Sequence, residues 1–207
     1  AESTEETVNL GVLSGGAVVY VDQVSGTRAI VSVSWVGRRT PLHCTSNGKV
    51  LLAHLPDAER DRLLAAPLTR ETPSTIVDVK VLKAQLREIL VRGYAQTLEE
   101  LEEGLNAVAA PIHQADGLAT AALSVSGPAF RMRPVDLPRI ARLTRDLAFR
   151  GRVDLHGDSF LNDGMVRVRW LHGGAQRDPD QMLTEVTAIV ARVLERDGSS
   201  NDAPAAE

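Results

Sequence analysis

Residues 40–56 read TPLHCTSNGKVLLAHLP, a hydroxyl-rich, glycine-marked turn that runs directly into an apolar helix. The first four amides of any helix have no acceptor within it. With Ser46, Asn47 and Gly48 at the junction, several N–H groups face outward at the positive end of the helix dipole, and such a place attracts an anion. What the rest of the chain builds around this junction decides how the protein is read.

Upstream, VNLGVLSGGAVVYVDQV (8–24) alternates and runs apolar around Ser14-Gly15-Gly16, which predicts a hairpin. AIVSVSWV (29–36) predicts a further strand with Ser32 and Ser34 on one face and the valines on the other. Downstream, Asp57 is placed to cap a short helix over DAERDRLLAA. A Thr/Pro/Ser-rich link leads to KVLKAQLREILVRG (80–93), where Leu82, Leu86, Ile89 and Leu90 recur at helical spacing and Gly93 closes the helix. After a strand signal at Tyr94, TLEELEEG (97–104) sets Thr97 and Glu100 at the spacing of a capping box. Its acidic run, Glu99, Glu100, Glu102 and Glu103, reads as a solvated face. LNAVAAPI (105–112) and GLATAALSVSG (117–127) predict two strands around the turn HQADG. Ser124 and Ser126 are two apart on the second, so both hydroxyls face one side. Strands and helices in this order, with short hairpin links, predict an α+β fold: a mostly antiparallel sheet carrying helices on one or both faces.

The last third differs. VDLPRIARLTRDLAF (135–149) predicts a helix and RVDLHGDSFLNDGMVRVRWL (152–171) a hairpin. In DPDQMLTEVTAIVARVLERDG (178–198), Met182, Leu183, Val186, Ile189, Val190, Val193 and Leu194 form the stripe of an amphipathic helix. The tail 199–207 lacks the apolar residues to order itself.

Composition narrows the function. At 207 residues the chain suffices for one well-buried domain, or one domain with an appendage. Its 27 acidic residues outnumber 23 basic ones, and no Lys/Arg run could follow a phosphate backbone, so direct nucleic-acid contact is not expected. The single cysteine, Cys44, forms no disulfide within the chain and, with no signal-like N-terminal segment, fits a reducing cytoplasm. No apolar run approaches the roughly 18 residues of a membrane span. His43 and Cys44 are adjacent, and neighbours on an extended chain point apart, which argues against a Cys–His nucleophile. His43 and His113 lack the tight spacing of metal ligands, so neither metal nor cofactor is expected.

Taken together, ETVNLGVL, VVYVDQV, VGRRTPLHCTSNGKVLLAHLP, STIVD, RGYAQTLEELEEGLNAVAAPI and ALSVSGPAFRM resemble, in order and spacing, the effector-binding domain of IclR-family bacterial transcription regulators. The resemblance runs from about residue 5 to about 148. It implies a GAF-like domain with a curved sheet that binds a small metabolite, a winged helix-turn-helix N-terminal to this chain that reads DNA, and assembly into homodimers or homotetramers. It also implies that the amides at the loop-to-helix junction receive the effector's carboxylate or carbonyl oxygens, at Ser46 and Asn47 here. The family's other pocket positions fall on Ala29, Ser32, Thr40, Thr97, Leu105, Ala107, Ser124 and Ser126. Two departures stand out. Members that sense small oxoacids carry an acid where this chain has Thr97 and a thiol where it has Ala107.

The expected organisation is therefore an interdomain linker end (1–7), the effector-binding domain (8–149), a hairpin-and-helix extension (150–198) and a tail (199–207). The expected ligand carries a carboxylate or carbonyl plus other polar groups. A stacked aromatic ring is not favoured, because few aromatic residues lie near the pocket positions, although Leu105 would accept one. Two alternatives remain open: an oligomerisation module with a vestigial pocket, and a small-molecule hydrolase, for which no convergent nucleophile and base are evident.

Overall fold

A computed structural model of the chain describes residues 5–26, 34–113, 118–146, 166–170 and 173–177. Contacts divide the chain into two units, Ala1–Leu155 and His156–Glu207.

In the first unit, β1 (Thr7–Ser14) and β2 (Ala17–Val24) form the predicted hairpin, followed by β3 (Arg39–Thr40), α1 (Ser46–His54), α2 (Asp57–Leu63) and α3 (Val79–Arg92). Then come β4 (Ala95–Leu98), β5 (Leu105–His113), β6 (Ala119–Pro128) and α4 (Leu137–Asp146). The six strands make one antiparallel sheet in the order β3-β2-β1-β6-β5-β4. The α+β architecture is as expected.

Period-two alternation gives this sheet two different faces. One carries Val18, Tyr20, Ala95, Ala109 and Ala122, which pack against Val50, Leu51 and Leu52 from α1 and Leu82, Leu86 and Ile89 from α3. The other carries Val108 and Val125, which pack with Met132 and with Leu137, Ile140 and Ala141 of α4. Each buried large aliphatic side chain contributes about 1.5–3 kcal/mol of transfer free energy. Asp78 caps α3 by accepting from the amides of Lys80 (2.7 Å) and Val81 (3.2 Å), and Gly93 ends it in the left-handed conformation.

Several expectations are corrected. Thr97 is a residue of β4 and caps no helix, since 99–104 are bends and turns. Glu100 is buried at 5% exposure, so the acidic run is not uniformly solvated. Leu90 lies outside the packed stripe of α3, at 49% exposure. Asp57 begins α2 rather than capping it; Pro56 holds the cap position. Of the strand predicted over 29–36, residues 34–36 are not extended in a ladder, and Trp35 instead opens a turn in which its carbonyl accepts from Arg38 N. The remainder of that stretch, with Ala29 and Ser32, lies outside the described residues.

In the second unit, β7 (Val166–Trp170) pairs antiparallel with β8 (Gly173–Arg177). The hairpin therefore sits further along than predicted: the alternating VRVRW is its first strand, and its partner is the glycine-led GGAQR. The predicted helix over 178–198 lies outside the described residues.

Candidate functional site

The sheet face under α1 is built from small residues. Ladder register places Thr7, Ser126, Ala107 and Thr97 in one cross-strand row, and Asn9, Ser124, Ala109 and Ala95 in the next. No bulky side chain fills these rows, so α1 approaches the sheet closely while a cleft stays open beside its N-terminus. The cleft and the open solvent at its mouth together hold about 370 Å³ of empty space. Its lining combines Ser46 and Thr45 from the helix junction, Asn9, Thr97, Leu105, Ala107, Ser124 and Ser126 from the sheet, and Tyr20, Trp35 and Leu101.

The helix junction is organised by Thr45. Its hydroxyl donates to Pro41 O (2.9 Å) and accepts from Gly48 N (3.1 Å), while its carbonyl accepts from Lys49 N (2.9 Å). This leaves the amides of Ser46 and Asn47 as the first-turn donors without an acceptor inside the helix. Gly48 is required by close approach: a Cβ there would collide with the Leu42 backbone, so a larger residue would push α1 away from the turn.

Of the ten sequence-predicted positions, the cleft brings together Ser46, Thr97, Leu105, Ala107, Ser124 and Ser126. Thr40 is buried in β3 opposite Val18 and does not line it. The Asn47 side chain is also turned away. It is fully buried, donates from Nδ2 to Ala122 O at 3.1 Å, and occupies the space left by Gly11, whose missing Cβ would stand 2.6 Å from that nitrogen. Of the two junction residues, Ser46 lines the cleft and Asn47 does not.

Sequence reasoning missed Asn9, Tyr20, Trp35, Thr45 and Leu101. For Asn9 a signal existed: it and Gly11 hold the inward parity of a strand whose Val8, Leu10 and Val12 take the other face. Tyr20 and Trp35 form an aromatic wall, with ring centroids 6.0 Å apart and planes inclined by 50°. Trp35 is fixed by its amide, which donates to Gln23 Oε1 at 2.8 Å, and by the Arg38 guanidinium 5.4 Å from its ring centroid. The aromatic side chains that seemed absent from the pocket are thus supplied by the register of β2 and the turn after it. Burial pushes the Tyr20 phenol up to about 12, so it stays a neutral hydroxyl at physiological pH.

Among the described residues, no charged side chain lines the cleft. Behind it, Lys49 is completely buried, and its Nζ donates to both Glu100 oxygens (2.6 Å each) and to Gln85 Oε1 (2.8 Å). Thr75 Oγ1 donates to the Glu100 carbonyl at 2.7 Å. This pair ties α1 to α3 and to the segment after Thr97. Burial pushes Lys49 down and Glu100 up, each opposed by the other's charge.

The cysteine is unsuited to nucleophilic chemistry. Burial, with Glu71 and Glu100 nearby, pushes the Cys44 thiol up to about 12, while His43 Nε2 is engaged 2.8 Å from Thr69 O. His113 stands by His54, with ring centroids 5.2 Å apart. Among the described residues no group of three or more His, Cys, Asp or Glu could hold a metal, and no helix is long and apolar enough to cross a membrane.

Comparison with known proteins agrees with this architecture. Residues 1–150 match the family described as bacterial transcriptional regulator IclR, C-terminal. The chain is 38% identical over 153 residues to the HTH-type transcriptional regulator BhcR of Paracoccus denitrificans, covering 72% of this chain and 55% of BhcR. The chain spans about half the length of the curated relatives it matches. Among solved structures, Thermotoga maritima IclR superposes with a TM-score of 0.67 at 35% identity, covering 71% of this chain and 60% of that one. A doubly mutated PobR inducer-binding domain from Acinetobacter, in complex with 3-hydroxybenzoic acid, superposes with a TM-score of 0.66 at 32% identity, covering 71% of this chain and 87% of that one. These relatives are transcriptional regulators and not enzymes. The chain belongs to the IclR family of bacterial transcriptional regulators, of which it carries the C-terminal domain.

Proposed function

We propose that this domain senses a small monocarboxylate, held by the backbone amides of Ser46 and Asn47 at the open end of α1. The observation that carries this reading is the cleft itself. The first turn of α1 supplies amides at its edge, hydroxyls from Thr97, Ser124 and Ser126 line the sheet side, and no cationic side chain lines it among the described residues. A single carboxylate is satisfied by two amides and a helix dipole, whereas a second buried charge would find no partner among the described residues. The aromatic wall of Tyr20 and Trp35 suits a planar body, in keeping with the hydroxybenzoate held by the PobR domain.

In the whole regulator, ligand binding biases DNA binding by a winged helix-turn-helix domain N-terminal to this one, through an oligomer whose arrangements bind the ligand unequally; only that difference can shift DNA affinity. The test is a thermal-shift and calorimetric screen of small mono- and dicarboxylates against wild type, Ser46→Ala and Ser46→Pro. Ser46 is the first helical residue and Thr45 before it is extended, so proline is compatible with the backbone there while removing one amide donor. A monocarboxylate that stabilises wild type and Ser46→Ala but binds Ser46→Pro about tenfold or more weakly is the expected result. Equal binding by all three chains sinks the assignment.

A further inference from the structure

Asn9 sits on the α1-facing side of β1, opposite Ser124 in the ladder, and only 2% of it is exposed. It lines the cleft. Its Nδ2 donates to Ser126 Oγ at 3.1 Å, while its Oδ1 is buried and finds no hydrogen-bond partner among the described residues. Buried polar atoms are nearly always paired, so an orphaned acceptor on a residue that lines a cleft asks for a donor from whatever fills it. Because Ser126 accepts from Asn9, its own hydroxyl proton is left to point elsewhere. One acceptor and one donor therefore stand side by side, and a hydroxyl group satisfies both at once.

The same two atoms disfavour other groups. An ether oxygen could accept from Ser126 but would leave Asn9 Oδ1 unpaired, and a second carboxylate would set negative charge against that oxygen. An apolar substituent would leave both unpaired.

We propose that Asn9 is a specificity-determining residue that selects, among small carboxylates, those bearing a hydroxyl group. This rests on the sensing reading of the same cleft, with the carboxylate at the α1 amides. The probes are the three positional hydroxybenzoates with benzoate and the matching methoxybenzoates, and 3-hydroxybutanoate with butanoate and 3-methoxybutanoate, each titrated calorimetrically into the wild-type chain. In whichever series binds, one hydroxy compound should bind at least about tenfold more tightly than both its unsubstituted and its methoxy counterpart. Asn9→Leu, similar in volume, should bring the three affinities together. Should that variant fold poorly, the wild-type series decides alone. Equal affinities within a series, or a methoxy compound matching its hydroxy partner, overturn the role of Asn9 and leave the sensing reading standing. No saturable binding by any probe overturns both.

Discussion

The two faces of the central sheet are made by the same strands, yet one is filled and the other is left partly open. On the α4 side, Val108 and Val125 meet Met132, Leu137 and Ile140, and the interior there is closed by aliphatic volume. On the α1 side, the alternate positions of the same strands are Ala107, Ala109, Ser124 and Ser126, too small to reach the helix along its whole length. A one-residue change of parity therefore converts closed core into cleft wall. The closed face should bear on stability alone, and the open face on selectivity as well.

Substitutions that cut the closed face should have a large effect on stability and none on ligand choice. Leu137→Ala, at a fully buried position, should cost about 2–5 kcal/mol in denaturant unfolding, while the order of affinities within a ligand series stays as in wild type. A changed order would break the division of labour between the faces.

Lys49→Met strikes the join between α1, α3 and the segment after β4, and removing one partner of a buried pair costs about 3–5 kcal/mol at neutral pH. Its pH dependence has a definite sign. Without the ammonium, burial of Glu100 is opposed only by the Ile76 backbone hydrogen bond and His43, and its folded-state pKa lies above the unfolded value, so the native state binds the extra proton. The variant should then lose stability as pH rises through the carboxylate range and regain much of it in acid. Lys49→Met with Glu100→Leu should remove that dependence. A single variant whose deficit is independent of pH between 4 and 7 would contradict the buried-charge account.

Gly11→Ala tests how closely the open face is nevertheless fitted. The added Cβ would stand 2.6 Å from Asn47 Nδ2 and 2.8 Å from Val18 Cγ1, displacing the amide that anchors α1 to Ala122. A loss of about 1–3 kcal/mol is expected, together with weaker ligand binding, because the first turn of α1 moves with Asn47. At the small end, Val91→Thr on the 91% exposed flank of α3 should change stability by under about 0.5 kcal/mol and leave binding unaltered.

Much of this arrangement was legible in the residues. The Ser-Gly-Gly hairpin, the helix that Gly93 closes and the small-residue alternation of β5 and β6 follow local rules that tertiary contacts reinforce. The opening junction was legible as well, since a helix terminus advertises its unpaired amides through the turn before it. What escaped depends on register. Asn9 and Ser126 lie 117 residues apart, and only the β1–β6 ladder sets them within 3.1 Å. Thr97 and Glu100 carried a helix-cap spacing, but β5 recruits Thr97 into a strand and Lys49 draws Glu100 inward, so long-range pairing overrode a local pattern. Asn47 falls in the first turn of α1 as its place in the chain predicts, but its side chain fills the space left by Gly11 on another strand.

The most direct test of the central claim is an amide NMR titration of the ¹⁵N-labelled chain with a binding monocarboxylate. The amide protons of Ser46 and Asn47 should show the largest downfield shifts, as donors that gain a charged acceptor, with residues of α4 unmoved. Largest shifts along α4, or binding that leaves Ser46 and Asn47 unchanged, would contradict the account.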